Sequence, residues 1–191
     1  MRRADGTVTT FDVADSPNVL VRAIDPRGQI TGNYSNASGQ HGFLRQAHGM
    51  ITTFDVPGSN YVDPKDINPR GQITGTYLDS GFVSHGFLRQ ADGTITTFDA
   101  LPGPFAATDP STINRAGQIA GRYFDGGIPH GFLRHADGTI TTFDVPGSIG
   151  IFSDRVAINP SGQITGTYND LSGVHGFIRG SSHKIESAPE D

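Results

Sequence analysis

The chain has no cysteine and no tryptophan. Without cysteine it has neither a disulfide framework nor a thiolate-held zinc or iron–sulfur centre. Charge is also sparse, at 17% of residues, and it is unbalanced: 14 Lys and Arg stand against 19 Asp and Glu, for a net charge of −5. An acidic balance with so few cations argues against a nucleic-acid partner. No apolar run approaches the ~20 residues of a membrane helix, so no membrane span is expected. Arg2 and Arg3 open the chain but no apolar stretch follows them, so no signal peptide is read in it. Nucleophile-elbow, phosphate-loop, dinucleotide-loop and HExxH patterns are missing too.

What the chain has in excess is glycine, 26 of 191 residues, together with repetition. The string TTFDV or TTFDA centres on Phe11, Phe54, Phe98 and Phe143, at spacings of 43, 44 and 45. HGFLR or HGFIR begins at His41, His85, His130 and His175, and GQITG or GQIAG begins at Gly28, Gly71, Gly117 and Gly162. A tyrosine follows each of the latter, at Tyr34, Tyr77, Tyr123 and Tyr168. Repeats of forty-odd residues with short β-prone segments and Gly/Pro turns have the size of a propeller blade.

Each unit reads as four short strands, a to d. Strand a ends at Ile24, Ile67, Ile113 or Ile158; b is QITGTY-like; c is HGFLR-like; d is ITTF-like. The expected fold is all-β: a four-bladed propeller with four antiparallel strands per blade. It forms a single domain over residues 1–185, with blades near 14–56, 57–100, 101–145 and 146–180 plus 4–13, and an acidic tail over 186–191. The N-terminal d strand is expected to complete the last blade and close the ring, with Phe11 opposite Phe177. A monomer is expected. An open solenoid, a stacked β-prism and a ring shared by two chains are the alternatives.

The Asp-Gly pair between c and d predicts a two-residue hairpin loop. That register sets Phe43 on Phe54, Phe87 on Phe98 and Phe132 on Phe143. It also puts His85 and Asp99 on opposite sheet faces, against a direct pair within one blade.

At these motifs the chain resembles the bacterial HAF-type repeat family: an Ile-Asn turn, Gly-Gln-Ile-x-Gly, then His-Gly-Phe-Leu. Ile24-Asp25 departs from the Ile-Asn of the other units. The resemblance implies an extracellular or envelope location and carries no catalytic residues across.

The intervals that vary between repeats are the d–a and b–c connections, which emerge on one face of the ring. Variable loops on a rigid scaffold are where binding is expected. The repeated Tyr34, Tyr77, Tyr123 and Tyr168, His41, His85, His130 and His175, and Asp12, Asp55, Asp99 and Asp144 sit at that end. They suit either a hydrogen-bond network tying strands together or a repeated ligand groove. The unrepeated candidates are Tyr61, Asp63, Lys65, Phe105, Asp109, Phe152, Asp154 and Arg155. Strand a is innermost, so Asp63, Asp109 and Asp154 are expected to converge at the channel mouth. Their oxygens would suit calcium or magnesium, while ordinary turn chemistry is the plainer reading of the same residues.

The function these residues favour is a binding or scaffold propeller for a saccharide or another small polar ligand. A hydrolase or lyase with one site at the channel mouth, and a purely structural repeat protein, are the competing readings.

Overall fold

The computed structural model describes residues 6–13, 16–103, 107–152 and 156–181. Fifteen strands form four separate antiparallel meanders, with no closed sheet among the described residues. The first comprises β1 (Asn18–Ile24), β2 (Ile30–Asn36), β3 (Gly39–Arg45) and β4 (Ile51–Phe54). The second comprises β5 (Val62–Ile67), β6 (Ile73–Leu78), β7 (Ser84–Arg89) and β8 (Ile95–Phe98). The third comprises β9 (Thr108–Ile113), β10 (Ile119–Asp125), β11 (Ile128–Arg134) and β12 (Ile140–Phe143). The last has three strands among the described residues, β13 (Ala157–Ile158), β14 (Ile164–Asn169) and β15 (Val174–Arg179). Residues 6–13 form no strand paired along β15, so the expected closure within one chain is not present among the described residues. Leu20, Val21 and Ile24 of β1 and Ile178 of β15 stand exposed at the two ends of the array.

The c–d hairpin corrects the expected register by one residue. Gln90 N–H donates to Thr94 O at 2.7 Å and Gly93 N–H to Gln90 O at 3.0 Å, with Gly93 at φ 97°. The loop is therefore three residues, a turn followed by a left-handed glycine that forms a bulge, rather than Asp-Gly alone. The displaced register sets Gly42 opposite Phe54, Gly86 opposite Phe98 and Gly131 opposite Phe143. Each phenylalanine ring lies over its glycine: a Cβ on Gly42 would come within 2.5 Å of the Phe54 ring. This explains the glycine of every internal HGF motif.

The aromatic pairs predicted within sheets occur instead between sheets. Phe54 meets Phe87, Phe98 meets Phe132 and Phe143 meets Phe177 edge-on, with centroids 5.9–6.1 Å apart. Phe11 makes the same contact with Phe43 rather than with Phe177. The HGFLR arginine of the following sheet stacks on each d-strand ring, as Arg89 does on Phe54 at 5.0 Å. The core is thus a series of layers between sheets. One layer joins Leu44, Phe54 and Val56 to Val62, Ile67, Ile73 and Phe87; another joins Leu133, Phe143 and Val145 to Val156, Ile164 and Phe177.

At the opposite end from the variable loops, a ladder of amides links sheet to sheet. Asn68 Nδ2 donates to Asn114 O at 3.0 Å, and Asn114 Nδ2 to Asn159 O at 3.1 Å. Asp25 replaces asparagine in the first sheet: its carboxylate accepts from the N–H groups of Arg27 and Gln29, as Asn68 Oδ1 does from those of Arg70 and Gln72, but it has no N–H to donate to the next sheet.

Candidate functional site

Strand a of each complete sheet carries a bulge at the same place. Val21 pairs with Gly32 and Ala23 with Thr31, leaving Arg22 unpaired; Lys65 and Ser111 are skipped likewise in β5 and β9. Such an extra residue bends the strand and re-aims its side chain. The bulge also accounts for the last glycine of GQITG. A Cβ on Gly32, Gly75 or Gly121 would meet the carbonyl oxygen of Leu20, Asp63 or Asp109 at 2.0, 2.3 or 2.4 Å. Pro64 and Pro110 stand beside the bulged residue, where a missing N–H is tolerated.

The bulged residues build an asymmetric charged cluster. Asp63, 3% exposed, accepts from Arg22 Nε at 3.1 Å, Lys65 Nζ at 2.6 Å and Asn33 Nδ2 at 2.6 Å. Arg22 Nη2 donates to the second carboxylate oxygen at 3.2 Å, which makes the contact a two-pronged one. Two cations thus face this one carboxylate, and both cationic side chains are partly exposed. In the third sheet Asp109 pairs with Arg122 Nε at 3.2 Å. Asp66 ties sheets together, accepting from Ile113 N–H at 2.9 Å.

Asp63 and Asp109 therefore stand each with its own cation, while Asp154, with Phe105 and Arg155, lies outside the described residues. No group of three His, Asp or Glu side chains placed to hold a metal occurs among the described residues. Tyr61 is partly buried and bridges in parallel to Gln40 at the junction of the first two sheets.

The repeated set pairs directly within each of the three four-stranded sheets, contrary to the register expected from a two-residue loop. His41, His85 and His130 donate from Nδ1 to Asp55, Asp99 and Asp144 at 2.6–2.7 Å. Tyr34, Tyr77 and Tyr123 stack on these histidines at 5.2 Å. Nε2 turns to the b–c loop: His41 meets Ser38 Oγ at 2.9 Å and Asn36 Oδ1 at 3.0 Å. Burial raises the Tyr77 phenol above its ordinary value, against a hydrogen bond with the Thr97 side chain. Burial opposes charge on His85, but its hydrogen bonds and attraction to Asp99 and Asp79 prevail, and its pKa is raised. In the last sheet Tyr168 stacks on His175 and the loop supplies Asp170, at 3.2 Å from Nε2. Hydrogen bonds from the Ser172 hydroxyl and amide hold Asp170 down to about 2.

The variable loops add apolar groups. Phe82 and Leu171 in b–c connections, Ile128 at the start of β11, and Ile149 and Phe152 in a d–a connection are all exposed. Phe82 also takes φ 62°, a left-handed conformation that a bulky side chain adopts only under constraint. A turn fixes it, with Phe82 N–H on Asp79 O and Val83 N–H on Asp79 Oδ1. Phe82, Arg22 and Asn33 were missed in the sequence. Arg22 had a signal, because the position two before the strand-a Ile reads Arg22, Lys65, Ser111 and Val156, unlike any repeated site.

No family model and no curated protein sequence matches the chain. Solved structures do. The chain is similar to TolB from Acinetobacter baumannii, with a TM-score of 0.62 and 15% identity, over 89% of this chain and 42% of that one. A streptogramin B lyase matches with a TM-score of 0.55 and 16% identity, over 87% of this chain and 56% of the other. Virginiamycin B lyase from Staphylococcus aureus matches with 0.56 and 17%, over 92% and 60%. These are β-propeller proteins, and the likeness establishes a propeller-like repeat fold. The chain spans about half the length of these structures. No helix among the described residues is long and apolar enough to cross a membrane.

Proposed function

We propose that the protein is a binding scaffold that takes a saccharide or another small polar ligand on the face of its d–a and b–c loops. The observation that carries this reading is the bulged pair Arg22 and Lys65, aimed at one buried carboxylate on the innermost strands. The repeated Tyr–His–Asp set is occupied with its own internal contacts, which supports a structural role for it. The bulged cluster is unrepeated, polar and partly open, as a single ligand site requires. Exposed Phe82 and Phe152 offer flat apolar faces of the kind that stack on sugar rings, and Arg22 and Lys65 favour a ligand bearing a carboxylate or another anionic group.

Both oxygens of Asp63 are already engaged by Arg22, Lys65 and Asn33, which supports binding over acid–base chemistry. The test is a glycan array with neutral and acidic members, followed by calorimetry. One site per chain is expected, weakened at least tenfold by Arg22→Ala or Lys65→Ala. Binding unaffected by both substitutions, or none to any array member, would sink this reading.

A further inference from the structure

Asp-Gly occurs four times in the chain. In this dipeptide the glycine nitrogen can attack the neighbouring side-chain carboxyl, since no Cβ hinders the approach. Asp5 of the first pair lies outside the described residues. The other three, Asp92-Gly93, Asp125-Gly126 and Asp137-Gly138, carry the same chemistry in two different kinds of turn. Asp92-Gly93 and Asp137-Gly138 close c–d hairpins, and Asp125-Gly126 closes the b–c hairpin of the third sheet.

The c–d turns hold both reacting groups. Gly93 N–H donates to Gln90 O and Gly138 N–H to His135 O, each at 3.0 Å, so the attacking nitrogen is engaged. The carboxylates are engaged too. Asp92 Oδ1 accepts from Thr94 N–H at 2.9 Å; Asp137 Oδ1 accepts from Thr139 N–H at 2.9 Å and from its hydroxyl at 2.7 Å. These bonds hold both carboxyls below their ordinary range, Asp92 chiefly through the Thr94 amide and Asp137 chiefly through the Thr139 hydroxyl. A carboxyl kept ionised is a poor acceptor for an amide nitrogen.

The b–c turn of the third sheet holds neither. Asp125 faces Ile128 across a two-residue loop, Gly126-Gly127, with both glycines left-handed at φ 56° and 85°. Among the described residues Gly126 N–H donates to no backbone carbonyl, and the exposed Asp125 carboxylate has no hydrogen-bond partner. The tip is unpacked as well, since a Cβ at Gly126 or Gly127 would meet nothing within 4 Å. The other residues that open b–c loops differ. Asn36, Asp79 and Asp170 lie 3.0–3.4 Å from the Nε2 of their histidines and accept from loop amides such as those of Ser38, Val83 and Ser172.

We propose that Asp125 is a site of covalent self-modification, rearranging to isoaspartate through a cyclic imide, while the folded turns spare Asp92 and Asp137. The Gly126 nitrogen attacks Cγ of the protonated Asp125 carboxyl. The N–Cγ bond forms, the Cγ–OH bond breaks, and the amide proton leaves with the hydroxyl as one water. A second water then opens the imide at one of its two carbonyls. Cleavage at the main-chain carbonyl leaves the chain running through Cγ, which is isoaspartate; cleavage at Cγ restores aspartate. The product has the mass of the starting chain, and the only co-reactant is solvent water. Isoaspartate adds a methylene to the main chain at the end of β10, which displaces the pairing of Asp125 with Ile128 on the variable-loop face. The modification does not depend on the ligand reading above.

The test is peptide mapping of the full chain held for weeks at neutral pH and body temperature, with a parallel sample in urea to remove the turns. Electron-transfer mass spectrometry locates isoaspartate, and labelling by an isoaspartyl methyltransferase counts it. The readout is the rate at each site in the folded protein divided by its rate in urea. That ratio is expected to be higher at Asp125 than at Asp92 or Asp137 by roughly tenfold or more, because releasing a c–d turn breaks two hydrogen bonds. Asp125→Glu would have to close a six-membered ring, so it should abolish labelling of its own peptide while keeping the charge and the β circular dichroism. Similar ratios at the three sites overturn the proposal. No isoaspartate at Asp125 in the folded protein, or labelling of that peptide that survives Asp125→Glu, overturns it as well.

Discussion

Gly42 and Phe54 offer a quantitative test of the corrected register. The two face each other across the first c–d hairpin, and the three atoms nearest a Cβ at Gly42 all belong to the Phe54 ring. Gly42→Ala forces a methyl to 2.5 Å from that ring; overpacking of this kind costs about 1–3 kcal/mol. Phe54→Ala removes a ring that is 9% exposed and lies in the layer between the first two sheets, which costs roughly 3–5 kcal/mol. In the double variant the new methyl has the space the ring has left, so the glycine penalty vanishes. The pair should therefore be non-additive by at least ~1 kcal/mol, the size seen for residues in direct contact. For a chain of this length each kcal/mol moves the melting temperature about 2–4 °C. Urea midpoints of the four proteins close the cycle. Additive effects would refute the placing of Phe54 over Gly42 and restore the Phe-on-Phe register.

Other expectations follow from single contacts. Asn114→Asp should lose about 1–3 kcal/mol by urea titration, because a carboxylate keeps the turn but cannot donate to Asn159 O. Asp25→Asn should be far milder in the same assay, since asparagine already holds that turn in the other three sheets. His85 is raised above the ordinary 6.5 by Asp99 and Asp79, so its contribution to stability is fully present below pH 6.5. That contribution is lost as pH rises through the folded-state value. An NMR titration of His85 should show the raised midpoint, and Asp99→Asn should bring it down; an unmoved midpoint would remove Asp99 as the cause. Gly93→Ala, at φ 97°, should cost about 1 kcal/mol in thermal melting, the strain of a left-handed residue with a Cβ.

The repeat made the strands legible, because period, β-prone runs and glycine turns all agree at each copy. The register was not, and one turn shows why. Ala91-Asp92-Gly93 and a bare Asp92-Gly93 loop share a sequence, and only the hydrogen bond from Gln90 to Thr94 tells them apart. That one-residue slip also hid the His85–Asp99 pair. Of the site, Asp63 and Lys65 were found because they break the repeat at the innermost strand. Arg22 breaks it in the same column and was overlooked, since a bulge leaves no mark in composition. Asn33 was invisible for a different reason: its partner Asp63 lies 30 residues away on another sheet.

The hydrophobic layers between sheets make the gap, rather than the sheet, the cooperative unit. An inner sheet is held from both sides and an end sheet from one, so opening should begin at the ends and travel inward. Amide exchange would then rank the chain by position in the array, slowest around Ile73, Phe87 and Ile119. Lengthening such a protein by one repeat adds one more gap of the same strength, so a chain of this design can change its number of sheets without redesigning its core.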